Sequence, residues 1–254
     1  MIYVLEVMYD GTKFHGSQMQ GTIPTVQLSI NNALSTLFRM PMESLGASRT
    51  DEGVHALCNY FQFDTGNELP QELLYKCNAI LPSGVAIKKI WKATNPDFNA
   101  RFDAIRRQYR YRIYTTKNPF LVDKALFYPF HLQHDLLHET AAIIKEYDHF
   151  ESFAKRKSQT KTFKCTIHQS YWEFNGAKLH YIVEANRFLR GMVRGLVGTQ
   201  IHTARGKNTP DDFRKIIEAR DCTKAFFNVA GHGLYLENIV YPDGVLEEIV
   251  GPGT

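Results

Sequence analysis

Residues 2–9 (IYVLEVMY) carry the apolar pattern of a strand, and Val26, Ile30, Ala33, Leu34 and Leu37 then recur at helical spacing behind Thr25, a candidate N-cap. Residues 43–49 and 56–63 (ALCNYFQF) predict two further strands around a charged loop. Pro70 opens a second predicted helix through Leu73, Leu74, Cys77 and Leu81, and residues 85–93 (VAIKKIWKA) close the set as a strand. The order β-α-β-β-α-β is that of a split βαβ, ferredoxin-like unit, a plan shared with RNA-recognition modules.

Beyond the link TNPDFNARFDA the pattern comes round again. A strand is predicted over 106–115 and a helix over about 134–148. Strands over 162–174 and 178–185 are joined at Asn175-Gly176, a strong hairpin signal. Helical spacing follows through Leu189, Val193, Leu196 and Val197, an extra helix starts at Thr209-Pro210, and GLYLENIVY supplies a last strand. The tail GPGT reads as frayed. The expected fold class is α+β: two ferredoxin-like (RRM-like) halves whose antiparallel sheets flank a central basic cleft. The expected domains are 1–104, which carries the charged loop, and 105–254, which completes the cleft. A length of 254 residues suits one large domain or two ordinary ones.

Composition narrows the class. Apolar residues make up 44% of the chain, with 17 Phe and 13 Tyr, which excludes a disordered or collagen-like chain and supplies aromatics for stacking on bases. The net charge is only +4, but its distribution is uneven. Arg101, Arg106, Arg107, Arg110 and Arg112 crowd one stretch; Lys155, Arg156, Lys157, Lys161 and Lys164 a second; Arg187, Arg190, Arg194, Arg205 and Lys207 a third. Such clusters suit a polyanionic partner. In RRQYRYRIY, strand alternation puts Tyr109 and Tyr111 on one face and Arg110 and Arg112 on the other, so one strand offers aromatics for bases and guanidinium groups for phosphates.

Cys58, Cys77, Cys165 and Cys222 share no C-x-x-C spacing and form no disulfide or zinc framework. The N-terminus lacks a basic leader, and no stretch approaches the ~18 apolar residues of a membrane span, so a soluble cytoplasmic protein with reduced thiols is expected. His134 and His138 in HLQHDLLH, which also holds His131, are spaced i, i+4, but no glutamate follows as in H-E-x-x-H, and no metal is assigned. The glycines of YDGTKFHGSQMQG match neither a P-loop nor a Rossmann spacing, and there is no G-x-S-x-G. Chemistry is left to the loop GASRTDEGVHA, where Asp51 stands two residues after Arg49 and four before His55. Alone, that is either an Asx-turn device or a working carboxylate.

SRTDEGVHAL resembles the G-R-T-D-x-G-V-H-A signature of the TruA-type tRNA pseudouridine synthases. Further similar blocks follow in order: YDGTKFHGSQMQ, TVQLSINNAL, NAILPSGVAI, FNARFDAIRRQYRYRI, FLRGMVRGLVG and GLYLENIVYP. The resemblance implies isomerisation of uridine to pseudouridine in the anticodon stem-loop of tRNA, at positions 38 to 40, without a cofactor and by a homodimer. It implies that Asp51 is the catalytic aspartate, Arg49 the arginine that helps displace the base, Tyr109 the active-site tyrosine and Arg194 the partner of the aspartate. A guanidinium beside a carboxylate in a dry pocket favours the charged form. Tyr109 can stack on an extruded uracil or serve as a core aromatic, and Leu234 can line the uracil pocket or simply fill a strand. Arg110, Arg112 and Arg190 are the candidate tRNA contacts. His55 is expected to brace the loop, Glu52 to be surface, and Gly53 to permit a tight turn. Ser48 replaces the signature's first glycine, and Ala230-Gly231 replaces the Ala-Pro of many members. A catalytically silent tRNA-binding protein or RNA chaperone of the same fold would show the same basic clusters. It would have no need of an aspartate among phosphates.

Overall fold

The computed structural model of the chain describes residues 1–156 and 162–251. Lys157 and Lys161 of the second basic cluster, and the tail from Pro252, lie outside them. The described residues form a mixed α+β protein with five α-helices and mostly antiparallel strands.

Two compact units divide the chain, Met1–Ile105 with Leu236–Thr254, and Arg106–Tyr235. A single division between 104 and 105 was expected. The observed one adds the C-terminal residues to the first unit, because the final strand pairs there.

In the first unit, β1 (Ile2–Tyr9) is central, antiparallel to β3 (His55–Asp64) on one side and to β4 (Val85–Ala93) on the other. β2 (Ser44–Gly46) adds to β3, and β10 (Leu246–Val250) adds to β4. The patterning does not predict β10, whose two consecutive glutamates belong to a largely exposed edge strand. β2 is shorter than the predicted 43–49, since at Ser48 the backbone N–H turns from the ladder to the Asn59 side chain. α1 (Val26–Phe38) begins where expected: Thr25 accepts a hydrogen bond from the Leu28 N–H at 3.3 Å. α2 (Leu73–Ile80) starts three residues after Pro70, which instead begins a turn closed by the Leu73 N–H. Leu5, Ile30, Leu34, Phe61, Phe63 and Ile90 are the largest fully buried side chains here.

In the second unit, β5 (Arg106–Tyr114) pairs antiparallel with β8 (Lys178–Ala185), which pairs with β7 (Ile167–Asn175). The hairpin signal is displaced by one residue. Asn175 pairs with Lys178, and the turn is Gly176-Ala177, with Gly176 at φ +56°. β7 begins at Ile167 rather than 162; ahead of it Lys164 makes an isolated bridge to His149. A short unpredicted strand, β6 (Leu126–Phe127), lies parallel to the end of β5. α3 (His134–Ile144) ends four residues before the expected 148, where the Lys145 N–H closes onto the Ala142 and Ile143 carbonyls. α3 packs on β7 and on α4 (Met192–Ala204), and Trp172 of β7 donates its indole N–H to Gln200 of α4 at 2.9 Å. α5 (Pro210–Glu218) starts with a capping box between Thr209 and Asp212. β9 (Leu234–Val240) holds the unit boundary after Tyr235, and is followed by β10 rather than being last.

Candidate active site

Loop 47–55 is built by packing two sequence-distant polar segments together. The Asp51 carbonyl accepts from the Val54 N–H at 3.2 Å, which closes a turn over Glu52-Gly53 with Gly53 at φ +78°, a conformation that favours glycine. Asp51 is half-buried at the mouth of this turn, whereas Arg49 and Glu52 are exposed. His15 Nδ1 lies 3.4 Å from the Glu52 carboxylate. Ser48 is not among the residues of positive φ, so losing the signature's glycine leaves no strain there.

The residues flanking Arg49 are clamped. Ser48 is held through both backbone groups: its N–H donates to Asn59 Oδ1 at 3.2 Å and its carbonyl accepts from Asn59 Nδ2 at 2.9 Å. Thr50 is held likewise by Ser17, whose Oγ accepts the Thr50 N–H at 2.8 Å and whose N–H reaches the Thr50 carbonyl at 3.0 Å. Behind them the Tyr9 and Thr50 hydroxyls are 2.9 Å apart, and Asn59 Nδ2 donates to Tyr9 at 3.1 Å. Burial pushes the Tyr9 hydroxyl above its ordinary range, so it stays neutral. Sequence reading missed Asn59, Tyr9 and Ser17. The available signal was Asn59 itself, a poor strand former in the middle of an apolar strand.

Two glycines let the N-terminal loop approach this closely. A Cβ on Gly11 would stand 2.0 Å from the Val54 carbonyl oxygen, and one on Gly16, at φ +89°, would stand 2.9 Å from the Thr50 carbonyl oxygen. His55, 2% exposed, puts Nδ1 3.2 Å from both the Gly11 N–H and the Asp10 carboxylate, and so ties the two loops as a brace.

The second unit carries the remaining candidates. Tyr109 is buried with its ring edge-on to Phe188 at 5.1 Å. Tyr111 is fully buried and donates to the Ala230 carbonyl at 2.7 Å; burial raises its hydroxyl and the nearby Arg194 charge opposes that. Arg194, in the first turn of α4, donates its Nε to the Val229 carbonyl at 2.9 Å. That carbonyl is within reach because α4 has glycine where segment 226–229 crosses it. A Cβ on Gly198 would lie 2.0 Å from the Phe226 carbonyl oxygen, and one on Gly195 would lie 2.8 Å from the Phe227 ring. Leu234 is buried at the start of β9, just after Gly233, where a Cβ would meet the Tyr111 ring at 2.7 Å. Gly231 opens a 3-10 turn without a positive φ, so the Ala230-Gly231 departure does not call for a different backbone.

On the other face of β5, Arg110 lies 3.4 Å from Glu173 and 3.5 Å from His180 Nδ1, and Arg112 stacks on the Tyr235 ring at 3.7 Å. The third basic cluster is not one patch. Arg187, Arg190 and Arg194 stand at the start of α4, and Arg205 and Lys207 lie past its end, about 17 Å along a helix that rises about 1.5 Å per residue. Lys155 joins the first group through its N–H to the Arg190 carbonyl at 2.8 Å. His134 and His138 pack their rings on Phe174 at 3.9 and 5.0 Å. No helix among the described residues is long and apolar enough to cross a membrane.

A family model described as tRNA pseudouridine synthase matches residues 146–242. The chain is 38% identical over 243 residues to tRNA pseudouridine synthase A of Parabacteroides distasonis, covering 95% of this chain and 96% of that one. The protein of the same description from Bacteroides fragilis is 38% identical over 250 residues (96% and 98%), and that from Bacillus subtilis 35% over 243 residues (92% and 97%).

Proposed function

The chain belongs to the tRNA pseudouridine synthase family, and from that membership we propose that it isomerises uridine to pseudouridine in the anticodon stem-loop of tRNA, at positions 38 to 40, with Asp51 as the catalytic carboxylate. The reaction breaks the N1–C1′ bond, turns the uracil and joins C5 to C1′; the proton at C5 leaves to solvent and the freed N1 takes one up, so the composition of the nucleoside is unchanged. The base must first leave the helical stack, at a cost of a few kcal/mol. Arg49, exposed beside the aspartate, fills the space it vacates. Tyr109 stacks on the extruded uracil and Leu234 lines its pocket. Arg194 is the guanidinium partner of the Asp51 carboxylate. Arg110, Arg112 and Arg190 contact tRNA phosphates.

The observation that carries this reading is the clamped loop. Arg49 and Asp51 stand on a backbone held at residues 48 and 50 by buried and part-buried hydrogen bonds, the rigidity required of a group that must meet a sugar-base junction. Two ferredoxin-like halves are proposed as the framework, supported by the order β4-β1-β3-β2 in the first unit. A homodimer in the cytoplasm is proposed with it.

Release of C5 tritium from uridine-labelled tRNA, comparing the native protein with Asp51→Asn, tests the assignment. Release by the native protein and none by the variant is expected, with tRNA affinity within a few-fold. Equal release from both removes Asp51 from the chemistry, and none from either favours the catalytically silent RNA binder.

A further inference from the structure

We infer that Tyr9 and Asn59 are positioning residues for the reaction: through Thr50 and Ser48 they set the direction in which Arg49 and Asp51 leave the loop. The inference rests on the proposed catalytic role of Asp51.

Asn59 is 0% exposed, and all four of its side-chain hydrogen-bonding capacities are used. Oδ1 accepts the N–H groups of Ser48 at 3.2 Å and Tyr60 at 2.9 Å, while Nδ2 donates to the Ser48 carbonyl at 2.9 Å and the Tyr9 hydroxyl at 3.1 Å. Rotating the amide by half a turn would set a donor against two N–H groups. The side chain therefore has one orientation, and it fixes Ser48 in both directions. Tyr9 extends the chain: its hydroxyl, already accepting from Asn59, lies 2.9 Å from Thr50 Oγ1.

The cost of such a network is burying polar atoms inside a sheet, which is justified structurally only where a ladder would not serve. Here the ladder of β2 and β3 ends at Gly46, and the Asn59 side chain takes over two residues later. The backbone is thereby released from strand pairing without being released from the core. It can carry Asp51 past the end of the ladder while residues 48 and 50 stay rigid. A bare hydrophobic support would hold the loop in place but would not fix its rotation, because apolar contact is non-directional.

The test compares native protein, Asp51→Asn, Tyr9→Phe, Thr50→Val and the Tyr9→Phe/Thr50→Val double variant. For each, the single-turnover rate constant for tritium release at saturating protein is measured, with tRNA affinity and melting temperature. Tyr9→Phe and Thr50→Val delete the same contact from its two ends. Each is expected to lower the rate constant roughly tenfold, with affinity within about twofold, and the double variant is expected to be no slower than the slower single one. A purely structural role would lower the melting temperature and the reaction amplitude but not the rate constant of the folded fraction. Rate constants within twofold of native in both single variants, or losses that multiply in the double variant, overturn the proposal. Loss in Asp51→Asn beside native rates in the other variants overturns the positioning role alone; a native rate in Asp51→Asn removes the aspartate from the chemistry and the positioning role with it.

Discussion

Arg194 donates its Nε–H in a hydrogen bond to the carbonyl of Val229 at 2.9 Å, and that bond exists because α4 beneath segment 226–229 carries no side chain at Gly198. The guanidinium is thus held by a backbone atom whose position depends on a helix–loop contact one turn away.

Gly198→Ala is therefore expected to act on Arg194 from a distance. Its Cβ would stand 2.0 Å from the Phe226 carbonyl oxygen, so the segment must lift and carry Val229 away. Turnover is expected to fall at least tenfold while tRNA affinity changes little. Single-turnover kinetics with a filter-binding titration would check this, and a variant that loses affinity but keeps its rate would contradict it.

Gly11 and Gly21 make a second comparison. Gly21 has φ +55° and open space around it, so Gly21→Ala carries only the left-handed backbone penalty, about 1–2 kcal/mol. Gly11→Ala drives a methyl into the Val54 carbonyl, is expected to cost about 2–3 kcal/mol, and displaces the turn that follows Asp51. Urea midpoints and tritium release should rank the two in that order for both stability and activity.

The basic group at the start of α4 predicts a graded response to salt. Affinity for tRNA is expected to fall as salt rises, and removing a cation that meets a phosphate should flatten the logarithmic slope by about 1. Lys155→Gln with Arg190→Gln is expected to flatten it by up to twice that. The two side chains are exposed and their segments are joined by the backbone bond from Lys155 to Arg190, so melting should be unaffected. An unchanged slope would take this patch out of the tRNA contact.

Alkaline pH should unfold the protein early. Burial raises the Cys58 thiol, Cys165 to about 11 and Cys77 to about 12, from an ordinary 9.0, and it raises Tyr9, Tyr60, Tyr111 and Tyr181 from 10.0. Above those ordinary values the unfolded chain gives up protons that the folded one keeps. Stability is thus independent of these groups below about pH 9 and lost as pH rises beyond it. Denaturant midpoints from pH 7 to 11 should be level and then decline; a rise above pH 9 would contradict the assignment.

Sequence alone determined whatever depends on neighbours a few positions apart. The period of β1 and β4, the Thr25 cap, the helix start at Thr209-Pro210, the glycine turn after Asp51 and the alternation of tyrosines and arginines along β5 are all local. The loop motif announced Asp51 and Arg49 for the same reason. Tertiary structure decided what joins residues far apart in the chain. Tyr9 reaches Thr50 across 41 positions and Asn59 across 50, and no periodicity encodes a hydrogen bond of that span. The same holds for β10, whose pairing with β4 moved the C-terminal residues into the first unit, and for the third basic cluster, which a straight helix pulls apart. Periodicity says which face of an element seeks burial. It leaves open which polar atoms meet there, because each must find its partner from the whole chain once water has been excluded.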